Sequence, residues 1–189
     1  MNLKPTLLAT GMALALGTMA LAPQAAHATA DGTVTIGGKV LNGTCSVSGN
    51  GSPANTAVTL ADVQQSALTA TGAYTASQQK FSIDLTNCPT TPSGVQVGLQ
   101  FFGGNDSSGA GLLTSTGTAT GVEVQLLDSS KNAVTITSAQ PTDNSNVTDA
   151  TTLSGASATL DYYAQYYVTS ATPGAGTVEA QTSFVINYQ

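Results

Sequence analysis

Apolar and polar residues alternate at period two through several short stretches of this chain. The clearest are Val34-Thr35-Ile36-Gly37-Gly38-Lys39-Val40, Phe81-Ser82-Ile83-Asp84-Leu85, Val95 to Phe101 and Val122-Glu123-Val124-Gln125-Leu126. Two longer ones, Leu160–Val168 and Val178–Tyr188, come near the end. Such alternation sets one face against a core and the other toward water, as in a β-strand. Clusters of Gly, Ser, Thr, Asn and Pro separate the stretches: Ser48–Pro53, Pro89–Gly94, Gly103–Gly111, Asp128–Ala133, Pro141–Ser145 and Pro173–Gly176. No segment carries a helical stripe. About seven short strands at this spacing predict a single all-β domain, an antiparallel sandwich.

The first 30 residues follow a different rule. Lys4 precedes an apolar run from Leu7 to Ala22, and Ala26-His27-Ala28 and Ala28-Thr29-Ala30 follow it. The run is shorter than the roughly 20 residues that span a bilayer. Residues 1–28 therefore read as a secretory signal peptide, cut after Ala28 or Ala30, with a retained anchor as the alternative. No second stretch is that apolar, so no membrane insertion of the mature chain is expected.

Cleavage changes the chemistry available. The sequence has one His, His27, and no Arg or Trp; its three Met are at positions 1, 12 and 19. The mature chain loses the His and every Met. It keeps Lys39, Lys80 and Lys131 against ten carboxylates, a formal charge of −7. Nucleic acid is disfavoured, because its phosphates call for clustered cations. Without an imidazole base, an imidazole ligand or a guanidinium, no catalytic residue, metal site or cofactor is assigned. Export also places Cys45 and Cys88 in an oxidising compartment, and two cysteines allow one disulfide.

Ser77-Gln78-Gln79-Lys80 spells the Ser-x-x-Lys of β-lactamase-like nucleophiles but lacks the companion motifs, and reads as a chance match in a loop. Asp143-Asn144-Ser145-Asn146 lacks the Gly and Glu of a calcium loop and reads as a solvated turn. Four tyrosines, Tyr162, Tyr163, Tyr166 and Tyr167, could stack a sugar. Alternation instead sends Tyr162 and Tyr166 to the core, with Tyr163 and Tyr167 on the opposite face. Asp106, Asp143 and Asp149 are expected on the surface.

The two ends of the mature chain add a further signal. The first alternating stretch begins close behind the cleavage sites, and the last runs through Phe184, Ile186 and Tyr188 almost to Gln189. Three pieces together resemble the subunits of chaperone–usher fimbriae, near the type 1 major pilins. They are Gly32–Asn42 leading to Cys45, Phe81-x-Ile83-x-Leu85-x-x-Cys88, and Tyr162–Tyr167 followed by Phe184-x-Ile186-x-Tyr188-Gln189. Tyr188 next to last and Gly176 fourteenth from the end match that family's C-terminal signature, with Thr182 a more polar member of the row.

The resemblance implies an incomplete immunoglobulin-like sandwich, residues 41–189, lacking its final strand and completed by donor-strand exchange. Residues 29–40 would be a donor extension, with Val34, Ile36, Gly38 and Val40 entering a neighbour's groove. Gly176, Phe184, Ile186 and Tyr188 would bound the acceptor groove, which a periplasmic chaperone fills first. The implied partners are neighbouring subunits in a homopolymer, that chaperone and an outer-membrane usher; the implied location is a fimbria on the cell surface. A minor or adaptor subunit, or a sugar-binding adhesin component, is the alternative. Periodicity alone favours reading Val34–Val40 as the ordinary first strand of a complete sandwich; the C-terminal signature and the absent final strand reverse that preference.

Overall fold

The computed structural model describes residues 38–49, the backbone of 52–53, and residues 56–104 and 110–189. All belong to the compact unit Gly38–Gln189. The signal peptide, Val34, Ile36 and Asp106 lie outside the described residues.

Among the described residues the fold is almost entirely β. The strands in chain order are β1 (Ser46–Gly49), β2 (Ser52–Pro53), β3 (Gly72–Thr86), β4 (Gln96–Phe102) and β5 (Leu112–Leu113). They continue with β6 (Val122–Leu127), β7 (Ile136–Thr137), β8 (Thr148–Thr152), β9 (Ala158–Val168) and β10 (Ser183–Tyr188). A single 3₁₀ turn, Gln65–Ala67, interrupts them. One sheet runs β2-β1-β3-β9-β6-β5; the other runs β10-β4-β7, with β8 also pairing β4. The two sheets do not close into a barrel, and β10 stands at an edge. This is an open two-sheet sandwich of the immunoglobulin-like kind.

Alternation explains which face of each strand is inside. Phe81, Ile83 and Leu85 of β3, Val97, Leu99 and Phe101 of β4, and Leu160, Tyr162 and Ala164 of β9 form the core. Tyr162 is fully buried at its centre. Its ring stacks on Phe81 at 5.8 Å and meets Phe101 edge-on at 5.1 Å. Its hydroxyl shares a hydrogen bond with Thr148 Oγ1 (3.4 Å), and burial pushes its pKa far above the phenol value. Tyr166 is half-buried in a smaller cluster with Val122 and Val168, while Tyr163 and Tyr167 alternate to the opposite face. There the Lys131 ammonium sits over the Tyr163 ring.

The disulfide expected from the sequence is present, joining Cys45 to Cys88. Antiparallel pairing of Ser46 with Thr86 brings the start of β1 beside the end of β3, which sets the two thiols across from each other.

Two expectations need correction. The Ser77–Lys80 stretch is not a loop but lies inside β3, which is longer than its apolar half suggests. Opposite β9, the pairing jumps from Tyr74–Tyr166 to Gln79–Ala164, so β3 bulges there. Ser77 fills the bulge: its hydroxyl donates to the Tyr74 carbonyl (2.7 Å) and accepts the Tyr166 N–H (2.9 Å). Lys80 pairs with Asp161 at 2.8 Å. Both side chains are thus engaged in holding the sheet.

The second correction concerns Val178–Tyr188, which pairs with β4 only from Ser183 onward. The cause is the end of β4. Gly103 and Gly104 adopt φ of 76° and 72°, in the left-handed region that favours glycine, and turn the chain away. Residues 114–120 take over as partner, with Thr116 N–H donating to Glu179 O (2.8 Å) and Ala119 N–H to Thr177 O (2.9 Å).

Candidate functional site: a groove along the last strand

Among the described residues, that exchange of partners leaves one edge of the segment without a partner strand. Gln96 and Gln189 exchange both backbone hydrogen bonds. In an antiparallel pair such exchange recurs every second residue, so Asn187, Val185 and Ser183 also face β4. Glu179 and Thr177 continue the same odd-numbered side, bonded to residues 116–119. The N–H and C=O groups of Phe184, Ile186 and Tyr188 therefore point to the other edge. β10 has no second partner strand among the described residues. A row of unsatisfied backbone groups is a template for another strand.

The side chains repeat the division. Val178, Ala180, Phe184, Ile186 and Tyr188 pack toward the two apolar clusters, while Thr177, Glu179, Gln181 and Ser183 are exposed. The same residues thus offer an open backbone edge and an apolar wall.

Beside this wall runs a groove of about 1350 Å³. Its floor is Phe81 and Ile83 from β3, Val124 and Leu126 from β6, and Ala164 and Tyr166 from β9. One wall is residues 174–184. The other is the extended segment 56–63, where Val58, Leu60 and Val63 are partly buried and their neighbours exposed. A small-molecule site occupies roughly 300–1,000 Å³. This one is larger and elongated, and suits a length of extended chain.

Both ends are tied across. Gln65, which lines the groove, donates from Nε2 to the Pro173 carbonyl (2.7 Å), joining the two walls at one end. Past the other end, the Cys45 N–H donates to the Tyr188 hydroxyl (2.7 Å). The groove's charged lining residues are Asp62 and Glu179, both exposed and both acidic. Asp62 lies near enough to Tyr166 to reinforce the rise in its phenol pKa that burial produces. No group of three or more His, Cys, Asp and Glu that could hold a metal occurs among the described residues.

The expected acceptor residues fall in distinct places. Gly176 and Phe184 line the groove. Ile186 and Tyr188 continue its wall against the core without lining the cavity. A Cβ on Gly176 would collide with the backbone of Thr118 and Ala119, so this glycine is required by the strip that backs the wall. Of the expected donor residues, Gly38 and Val40 are described and neither belongs to a strand. Nothing lies within 4 Å of a Cβ built on Gly38, and Val40 is 93% exposed, the one large hydrophobic so placed among the described residues. The wall 56–63 is a part of the site that the sequence reading does not assign. Its signal is faint, a single Val58-Thr59-Leu60 alternation.

Known proteins resemble this chain. The family model described as fimbrial protein matches residues 22–189. The chain is similar to the major fimbrial subunit SMF-1 of Stenotrophomonas maltophilia (strain K279a), at 38% identity over 89% of this chain and 99% of that one. It is 34% identical to the type-1 fimbrial protein A chain of Escherichia coli over the full length of both. Among solved structures, a chaperone–usher pilus superimposes with a TM-score of 0.61 at 24% identity, covering 89% of this chain and all of the other. That likeness bears on the fold.

Proposed function

Because the chain belongs to the fimbrial protein family, we propose that it is the repeating subunit of a surface fibre in which each copy lends residues 33–40 to the groove of another. It is a structural subunit of a fimbria, and its relatives SMF-1 and the type-1 A chain are fimbrial subunits. No helix among the described residues is long and apolar enough to cross a membrane.

The observation that carries the assembly reading is that Val178–Tyr188 combines a backbone edge with no partner strand among the described residues and a groove with an apolar floor beside its first half. Strand addition uses both, main-chain bonds for affinity and alternate side chains in pockets for specificity. Val34, Ile36 and Val40 supply the alternate apolar side chains. Val34 and Ile36 would each contribute about 1.5–3 kcal/mol when fully buried. Before assembly the same edge has to be protected from indiscriminate pairing. A periplasmic chaperone strand in the groove, exchanged at an outer-membrane usher, meets that need.

The test is assembly by a mature subunit lacking residues 29–37. It is expected to fold, to be captured by the chaperone and to leave a preceding copy uncapped, so fibres do not grow; normal fibres would overturn the reading. Gly38→Leu provides a finer probe. A Cβ there meets no described residue within 4 Å, so an unchanged melting temperature with blocked assembly locates the fault in the receiving groove. Overpacking a fitted site costs about 1–3 kcal/mol. Tyr188→Ala is expected to weaken chaperone capture, since it alters the acceptor wall.

A further inference from the structure

We infer that the acidic rim of the groove, Asp62 on one wall and Glu179 on the other, receives Lys39 of a second copy. This inference rests on the donor reading above and adds its electrostatic determinant. Among the described residues, Asp62 and Glu179 are the charged residues lining the groove, and no cation lines it. Neither takes part in the one ion pair among the described residues, Lys80–Asp161. Lys39 is exposed beside Gly38 and Val40, and is one of three Lys left in the mature chain.

Alternation decides where the ammonium goes. If Val34, Ile36, Gly38 and Val40 point into the groove, Thr33, Thr35, Gly37 and Lys39 face outward over the rim. Glu179 also faces outward, on the exposed odd-numbered side of its wall. A cross-strand pair of opposite charges on one face is favourable, and like charges opposite one another are not.

The charges also separate the two senses of insertion. With the donor antiparallel to β10 and Lys39 opposite Glu179, Ile36 lies opposite Thr182 and Val34 opposite Phe184. Asp31 then falls at the far end, away from the acids. In the parallel sense Asp31 comes to the acidic rim and Lys39 moves toward Asn187. One sense gains an attraction where the other meets a repulsion. The positive point on the donor matters more because mature subunits carry −7 each and repel at long range.

The experiment measures the rate of fibre formation by the full mature subunit at low and at high salt. Lys39→Glu is expected to slow assembly about ten-fold at low salt, with the gap to the native protein closing as salt rises. The double variant Asp62→Lys with Glu179→Lys should slow it similarly, and combining all three substitutions should restore a near-native rate. An unchanged rate for Lys39→Glu, or no recovery in the triple variant when it folds, overturns the inference. If the acceptor substitutions prevent folding, the salt dependence of Lys39→Glu decides alone, since Lys39 is exposed and outside every described strand. The variant lacking residues 29–37 separates the two levels. Fibres from it remove the donor reading itself; no fibres from it, with Lys39→Glu behaving as native, removes only the Lys39 pairing.

Discussion

Lys80 and Asp161 meet across β3 and β9 with side chains 52% and 37% exposed. The Lys80 ammonium and then the Ser82 hydroxyl, both bonded to Asp161, hold its carboxyl below the usual carboxylate range. Lys80 is raised in return, chiefly by its hydrogen bond to Asp161. A carboxyl with a depressed folded pKa stabilises the fold above its unfolded pKa of about 3.9, and that contribution disappears as pH falls through the folded value. Lys80 contributes below its unfolded value of about 10.4 and ceases to as pH rises through its raised one. Solvent screens so exposed a pair. Asp161→Asn is therefore expected to lower Tm by only about 1–3 °C at neutral pH. Melting curves should show the difference shrinking as acid takes the pH below the ordinary carboxylate range and through the depressed folded value. Asp143 shows the same sign for a local cause: the Ser145 hydroxyl and N–H, both donating to Asp143 Oδ1, depress its pKa within an exposed turn. That turn agrees with its polar, turn-forming sequence. Asp149 is less simple, partly buried at a positive φ of 52° with its carboxylate accepting from Ser129.

Among elements, β4, β6 and β9 were legible because each sets a strict apolar row against the core, and their observed ends lie within two residues of the alternating stretches. The first half of β3 was not. Thr75-Ala76-Ser77-Gln78 is polar, and what keeps it in the sheet is a hydroxyl inside a bulge together with side-chain amides. Gln78 donates to Gln165, Gln165 to Gln125, and Gln125 to the Ala110 carbonyl. Such a chain depends on strands that meet only after folding, so no local pattern announces it. Ser77→Ala removes the acceptor of the Tyr166 N–H. It is expected to cost about 1–3 kcal/mol, read as a lower urea midpoint with an unchanged slope. The groove divides the same way. Its C-terminal wall was visible as a period-two row ending in Phe184, Ile186 and Tyr188. The opposite wall and the change of partner at Gly103 depend on tertiary contacts and on a turn of β4.

For the molecule as a whole, Cys45 governs how load would enter a subunit. It stands one residue before β1, at the junction with the exposed Gly38–Val40 segment, and is bonded to Cys88 at the far end of β3. In the proposed assembly, tension drawn through residues 33–40 would reach Cys45 and pass through a covalent bond into the polypeptide beyond β3. The Cys45 N–H also touches Tyr188, the outer end of the last strand. The hydrogen bonds of β1 and β3, both of which lie between the two cysteines, would be bypassed by that path. The 43-residue separation between the cysteines corresponds to roughly 150 Å of extended chain kept out of reach of a pull. Cys45→Ser with Cys88→Ser returns that length to the load path. Single-fibre stretching should then show a subunit opening to longer contour at lower force, while an intact fibre shows no such release. The disulfide would act as a mechanical fuse held permanently closed, making each subunit a link of fixed length.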